Sequence, residues 1–197
     1  MKKPIVITII ALAVLGLGVI LFLYGGNNPT EPPTAQNDTV SNDLSHVPSG
    51  GQLLGNLQKA GLEALNAEGT VMHIHQHLDI IINNKAIAVP TNIGVGSGFI
   101  SPIHSHDQTG IIHVESPVKK DFTLGQFFKE WNVGFDDNRI GTYSSDQTHK
   151  LVVAVNGNPI TQVQNYILKA HDEIEVWYGD KNSTPSLVKE YSFPQGE

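Results

Sequence analysis

Val71-Met72-His73-Ile74-His75-Gln76-His77-Leu78-Asp79-Ile80-Ile81-Ile82-Asn83-Asn84-Lys85 is the stretch on which the reading of this chain turns. His73, His75, His77 and Asp79 fall on one side of an alternation, and Ile74, Gln76, Leu78, Ile80 and Ile82 on the other. A period of two belongs to a strand with one side against a core. Asn83-Asn84 suits a two-residue turn because Asn tolerates left-handed backbone, so Lys85 to Val89 is expected to fold back as a partner. That register sets Asp79 across from Ala88 and His77 across from Pro90, leaving the histidine side open. Alternate side chains on a strand stand ~6.5–7 Å apart, and neighbouring imidazoles can lean inward across that gap to hold one ion. Zinc usually takes three or four ligands, so further ligands must come from another strand.

The next histidines lie in His104-Ser105-His106-Asp107-Gln108-Thr109-Gly110-Ile111-Ile112-His113-Val114-Glu115. If Asp107 to Gly110 is a four-residue hairpin loop, His106 pairs with Ile111 and His104 lies directly across from His113. Facing Cβ atoms in such a pair are ~4.5–5.5 Å apart, so His104, His106 and His113 would share one side. A slip of one residue turns His113 away. Six of the nine histidines fall between positions 73 and 113. His73, His75, His77, His104, His106 and His113 are therefore the candidate metal ligands, with Asp79, Asp107 and Glu115 as carboxylates able to orient them. Imidazole-rich sites suit zinc, copper(II) and nickel. Copper or zinc is the expected ion, and sequence does not separate the two. His46, His149 and His171 read as loop or capping residues, and Met72 as core.

Around these strands the periodicity changes. Leu53, Leu54, Leu57, Leu62 and Leu65 predict an amphipathic helix from Ser49 to Glu68, with Ser49 as cap and Gly69 as stop. Thr123 to Trp131 predicts a second helix, capped by Thr123, with Leu124, Phe127, Phe128 and Trp131 on one side. Phe99 to His106, Ile111 to Glu115, Lys150 to Val155, Asn158 to Ile160 and Glu173 to Tyr178 read as strands. The expected fold is α+β: mostly antiparallel strands with one central helix.

Two resemblances bear on this. The helix over Thr123–Trp131, the Val155-Asn156-Gly157 turn and the Asp172-Glu173-Ile174 strand entry resemble the tail of ubiquitin-like β-grasp proteins, which implies a fold and no activity. His73-x-His75-x-His77-Leu78, Val89-Pro90-Thr91-Asn92-Ile93-Gly94, the His104 to Ser116 block and Leu124-Gly125-Gln126-Phe127-Phe128 together resemble a histidine-rich group of membrane-anchored or secreted prokaryotic proteins. That resemblance implies one structural unit from about Thr70 to Trp131 and carries no activity over.

The amino-terminal sequence addresses location. Met1-Lys2-Lys3 precedes an uncharged apolar run from Pro4 to Tyr24, long enough for the ~20 residues that a bilayer core requires. Basic residues stay on the cytoplasmic side, so the rest of the chain is expected outside, in the periplasm or at the cell surface. A cleaved signal peptide is the competing reading. The expected organisation is an anchor over 1–24, a polar disordered linker over 25–47, an amphipathic helix over 48–69 and a histidine-bearing domain over 70–197. With no cysteine, disulfides, thiolate catalysis and Cys-type zinc fingers are excluded. A net charge of −7 without a basic stripe argues against nucleic acid as a partner. A metal-binding or metal-handling module is the leading functional expectation, and an enzyme is the less favoured one. The alternatives are a metalloenzyme with a three-histidine site activating water or doing copper redox chemistry, and a metal-free interaction domain.

Overall fold

In the computed structural model, residues 43–197 are described, and the apolar run and most of the expected linker lie outside them. Among the described residues no helix is long and apolar enough to cross a membrane. The decisive alternation becomes strand β1, Met72–Ile82. Asn83 and Asn84 both take positive φ (50° and 64°), turning the chain into β2, Lys85–Ile87, with Ile82 paired to Lys85. β2 stops at Ile87, so neither Asp79 nor His77 finds its expected partner there. Instead the first half of β1 pairs antiparallel with β6, Ile111–Ser116.

Strand β12, Glu173–Asp180, runs parallel along the other edge of β1, from His77–Glu173 to Ile82–Tyr178. β10, His149–Val155, pairs antiparallel with β12 and makes a hairpin with β11, Asn158–Pro159. β5, Ile103–His104, lies outside β6. The principal sheet has the order β11-β10-β12-β1-β6-β5, with β2 as a branch on β1. Among the described residues the fold is α+β, with two α-helices and mostly antiparallel strands, β1 and β12 being the parallel exception.

The expected strand over Phe99–His106 is split. β4, Phe99–Ile100, pairs with β3, Val95–Gly96, in a separate small ribbon. Pro102 has no N–H for a ladder, and Ser101 gives its N–H to the Gly94 carbonyl (2.8 Å), so pairing restarts only at Ile103. A further three-stranded ribbon comprises β7 (Phe135–Asp136), β8 (Arg139–Ile140) and β9 (Tyr143–Ser144).

Helix α1, Gly50–Ala60, is shorter than the span expected from the leucines. Gly61 adopts φ 68° and Leu62 N–H bonds back to the Leu57 carbonyl (2.9 Å), a left-handed stop that favours glycine. Leu65 leaves the helix pattern and bridges to Ile100. Ser49 occupies the N-cap position but makes no side-chain capping bond. Helix α2, Leu124–Glu130, starts as expected: the Thr123 hydroxyl accepts from Gln126 N–H and Gln126 Oε1 accepts from Thr123 N–H. Such a reciprocal box is worth ~1 kcal/mol or somewhat more.

Leu124, Phe127, Phe128 and Trp131 join Leu53 and Leu57 of α1, and the apolar side of the sheet, in one core. The linker reading over 25–47 ends too late. Leu44 is buried in this core, Val47 packs against it, and the Trp131 indole donates to the His46 carbonyl (3.1 Å). Apolar side chains with somewhere to pack hold that stretch down despite its polar neighbours.

Candidate metal centre

The sheet side away from the apolar core is unusual in being both polar and largely buried. His75 sits opposite His113, and His73 opposite Glu115, across the β1–β6 ladder. On the far edge of β6, His113 sits opposite His104 of β5, the register that a four-residue loop requires. His106 lies beyond the strand and is half exposed, yet its ring reaches within 4.7 Å of the His104 ring and 4.6 Å of the His113 ring. The His75 and His113 rings are 4.6 Å apart. The two histidine clusters of the sequence therefore form one continuous array, because β1 and β6 are neighbours.

Backbone close approaches set its floor. The Val89 to Gly94 segment docks on the His104-Ser105-His106 turn: Ser105 N–H donates to the Ile93 carbonyl (3.0 Å) and Ser105 Oγ to the Pro90 carbonyl (3.0 Å). Gly94, at φ 78°, leaves no room for a side chain, since a Cβ there would lie 2.6 Å from the Ile103 carbonyl and 3.1 Å from His104 Cβ. Gly110 plays the same part at the other turn, where a Cβ would meet the Leu78 carbonyl at 2.6 Å and the His77 ring at 3.0 Å. Asp107 holds that turn by accepting from Thr109 N–H (2.8 Å) and contacting its hydroxyl, so it shapes the loop and does not orient an imidazole.

Among the described residues, four groups of side chains have ligand atoms within 4.8 Å of one another: His104/His106/His113/Glu115, His73/His75/Glu115 and His75/His113/Glu197, which overlap, and His77/Asp79/Glu173, which shares no member with them. His104 Nδ1–H donates to the Ser101 carbonyl (2.9 Å); a carbonyl only accepts, so the ring proton is on Nδ1 and the Nε2 lone pair is free. That Nε2 lies 3.2 Å from His106 Nε2. On β1, His73 Nε2 and His75 Nε2 are 3.1 Å apart. Glu115 Oε1 is 3.3 Å from His73 Nε2 and 3.4 Å from His113 Nδ1, and Glu197 Oε2 is 3.3 Å from His75 Nε2. Two metal–nitrogen bonds of ~2.0–2.1 Å at a tetrahedral angle put their nitrogens ~3.3–3.4 Å apart, close to each of these separations.

Electrostatics agree. Burial pushes His104 down to about 4 and His113 down to about 3, with neighbouring imidazoles adding to the effect. Burial also lowers His75, against the pull of Glu197. These rings are neutral at physiological pH, the form that binds a metal. Burial raises Glu115. His113 Nδ1 and Glu197 Oε2 are buried without a hydrogen-bond partner, an arrangement that an ion between them would resolve.

His77 shares the strand side but belongs to a different setting. Its Nδ1–H donates to Glu173 Oε2 (2.7 Å), its Nε2–H to the Thr109 carbonyl (2.9 Å), and its ring stacks on Tyr191 at 3.6 Å. Burial alone would lower its pKa, but the bond and charge of Glu173 outweigh that and raise it. Both nitrogens are engaged, with Asp79 the third member of the group. His46, His149 and His171 belong to none of these groups; His149 bonds Thr148 and Asp146, while His171 borders the array, its backbone N–H donating to the His75 carbonyl (2.7 Å) and its ring Nε2 lying 3.3 Å from the Glu197 carbonyl.

Glu173 and Glu197 were not among the candidates from sequence. A Glu–x–Glu alternation over Glu173 and Glu175 hinted at a polar strand side, but nothing local says that this side meets β1. Glu197 is brought in by the segment after β12, which crosses the polar side through Val188 N–H to Glu175 Oε2 (2.8 Å) and the Tyr191 stack. Comparison of the chain with protein-family models, with curated proteins and with solved structures finds no match in any of the three.

Proposed function

We propose that this is a membrane-tethered, extracytoplasmic protein that binds a transition metal, copper or zinc, in metal handling, buffering or sensing. The ion is held by Nε2 of His104 and His106 with His113 and Glu115 completing the set. One observation carries the reading. His104 Nε2 and His106 Nε2 are at coordination-edge distance (3.2 Å), while the Ser101 carbonyl fixes the His104 proton on the opposite nitrogen. A site rich in neutral imidazole favours copper(II) or zinc over magnesium or calcium. Four protein ligands around one ion leave no open position for water, which favours holding a metal over turning over a substrate.

The basic head and the apolar run Pro4–Tyr24 support an anchor with the domain outside the cytoplasm. The strand order, with parallel β1 and β12 central and α2 between β6 and β10 in the chain, supports a β-grasp-type arrangement.

Elemental analysis of the untagged protein, followed by copper and zinc titration, tests the metal reading. The His104→Ala/His106→Ala double variant is expected to lose at least ~100-fold in affinity for the tightest ion, since it removes half of that ligand set. Unchanged affinity and metal content in that variant would overturn the assignment.

A further inference from the structure

The donors exceed what one ion can use. The three groups that include the array supply five histidines, Glu115 and Glu197, while zinc closes its sphere with four ligands. Glu115 is common to the His104/His106/His113 group and the His73/His75 group. We infer that the array is a binuclear centre in which two transition-metal ions are bridged by the Glu115 carboxylate. This rests on the metal-binding reading above and extends it from one ion to two.

The allocation follows from the distances. The first ion takes His104, His106, His113 and Glu115. The second takes His73 and His75, whose Nε2 atoms are 3.1 Å apart, flanked by Glu115 Oε1 at 3.3 Å from His73 and Glu197 Oε2 at 3.3 Å from His75. Each set then numbers four, with Glu115 counted twice. The carboxylate is placed for bridging: Oε1 lies between His73 Nε2 of one set and His113 Nδ1 of the other, at 3.3 and 3.4 Å. Carboxylate bridges suit ions ~3.5–4 Å apart, the spacing of two-metal sites. Without an ion, His113 Nδ1 and Glu197 Oε2 remain buried with no hydrogen-bond partner. The rings stack edge to face in sequence, His73–His75 at 4.8 Å and His75–His113 at 4.6 Å, so no protein layer separates the two sets.

The experiment counts ions and asks whether they feel each other. The full-length protein is dialysed against excess copper(II) and the bound metal measured per chain, with electron paramagnetic resonance on the same samples. Two equivalents are expected, with a spin signal well below that of two isolated copper(II) ions because the pair is coupled. His73→Ala/His75→Ala is expected to bind one equivalent with a full, uncoupled signal. Glu115→Gln, which keeps the shape and weakens the bridge, is expected to restore signal intensity or drop the second ion. Circular dichroism of the metal-free variants checks that they fold, and a variant that fails this check is replaced by the single substitution His73→Ala, whose side chain is half exposed. One equivalent in the wild type, or two with two full independent signals, would overturn the binuclear centre while leaving the metal-binding reading standing. No bound copper or zinc at all would remove both.

Discussion

His75 and His77 are two residues apart on one side of one strand, and the fold has put them to opposite uses. His75 is buried among imidazoles, with its nearest carboxylate oxygen at 3.3 Å, and burial holds it neutral. His77 is equally buried but donates at 2.7 Å to Glu173, whose bond and charge raise its pKa against the effect of burial. The difference teaches that burial alone does not set an imidazole's role. A carboxylate within strong hydrogen-bond range converts a ligand-like ring into half of a salt bridge, and parallel strand β12 delivers that carboxylate to one ring and not the other.

The largest expected effect comes from breaking the charged end. His77→Ala leaves Glu173 buried without its partner, and losing one half of a buried pair costs about 3 kcal/mol. Urea unfolding of the metal-free protein should show that loss, while copper and zinc stoichiometry stays at the wild-type value. Loss of metal from a folded His77→Ala protein would erase the distinction between the two ends.

A smaller effect separates the ends by pH. His104 and His113 have folded pKa values of about 4 and about 3, below the ordinary histidine value of 6.5. Between 6.5 and those values the unfolded chain takes up protons that the folded rings refuse. Each ring therefore removes stability as pH falls, by up to ~1.4 kcal/mol per pH unit. His77 has the reverse sign, because its folded pKa is raised. Its contribution is complete below 6.5 and disappears as pH rises through the folded value. For metal-free protein between pH 7 and 5, the wild type should lose about 1–2 kcal/mol relative to His104→Gln. Relative to His77→Gln it should gain. The same sign for both differences would contradict the comparison.

The smallest effect tests the stacked cover. Tyr191→Ala removes the ring lying 3.6 Å over His77 and should cost about 1 kcal/mol, with no change in the metal bound by the array. A drop in metal affinity would mean that the segment carrying Tyr191 and Glu197 moves as one piece with the site.

Much of the local structure was legible. The alternation over Met72–Ile82, the Asn83-Asn84 turn and the Thr123 cap rest on contacts within a few residues, where backbone preference and periodicity decide. The His104–His113 register was legible for the same reason, since a loop length determines which residues face each other. The limits of α1 and the broken strand at Ser101-Pro102 were missed because a leucine pattern or an extended stretch does not say where a glycine stop or a lost N–H ends pairing. Leu44 was hidden by polar neighbours that outvote one buried side chain.

By itself, the sequence determined which residues share a strand side, and so which imidazoles travel together: His73 with His75, and His104 with His113. Only the tertiary structure decided what those sides meet. Strand pairing between residues far apart in the chain is set by the packing of the whole core, and periodicity carries no record of it. The β1–β6 pairing merged two clusters into one array, and the β1–β12 pairing withdrew His77 from it by supplying Glu173.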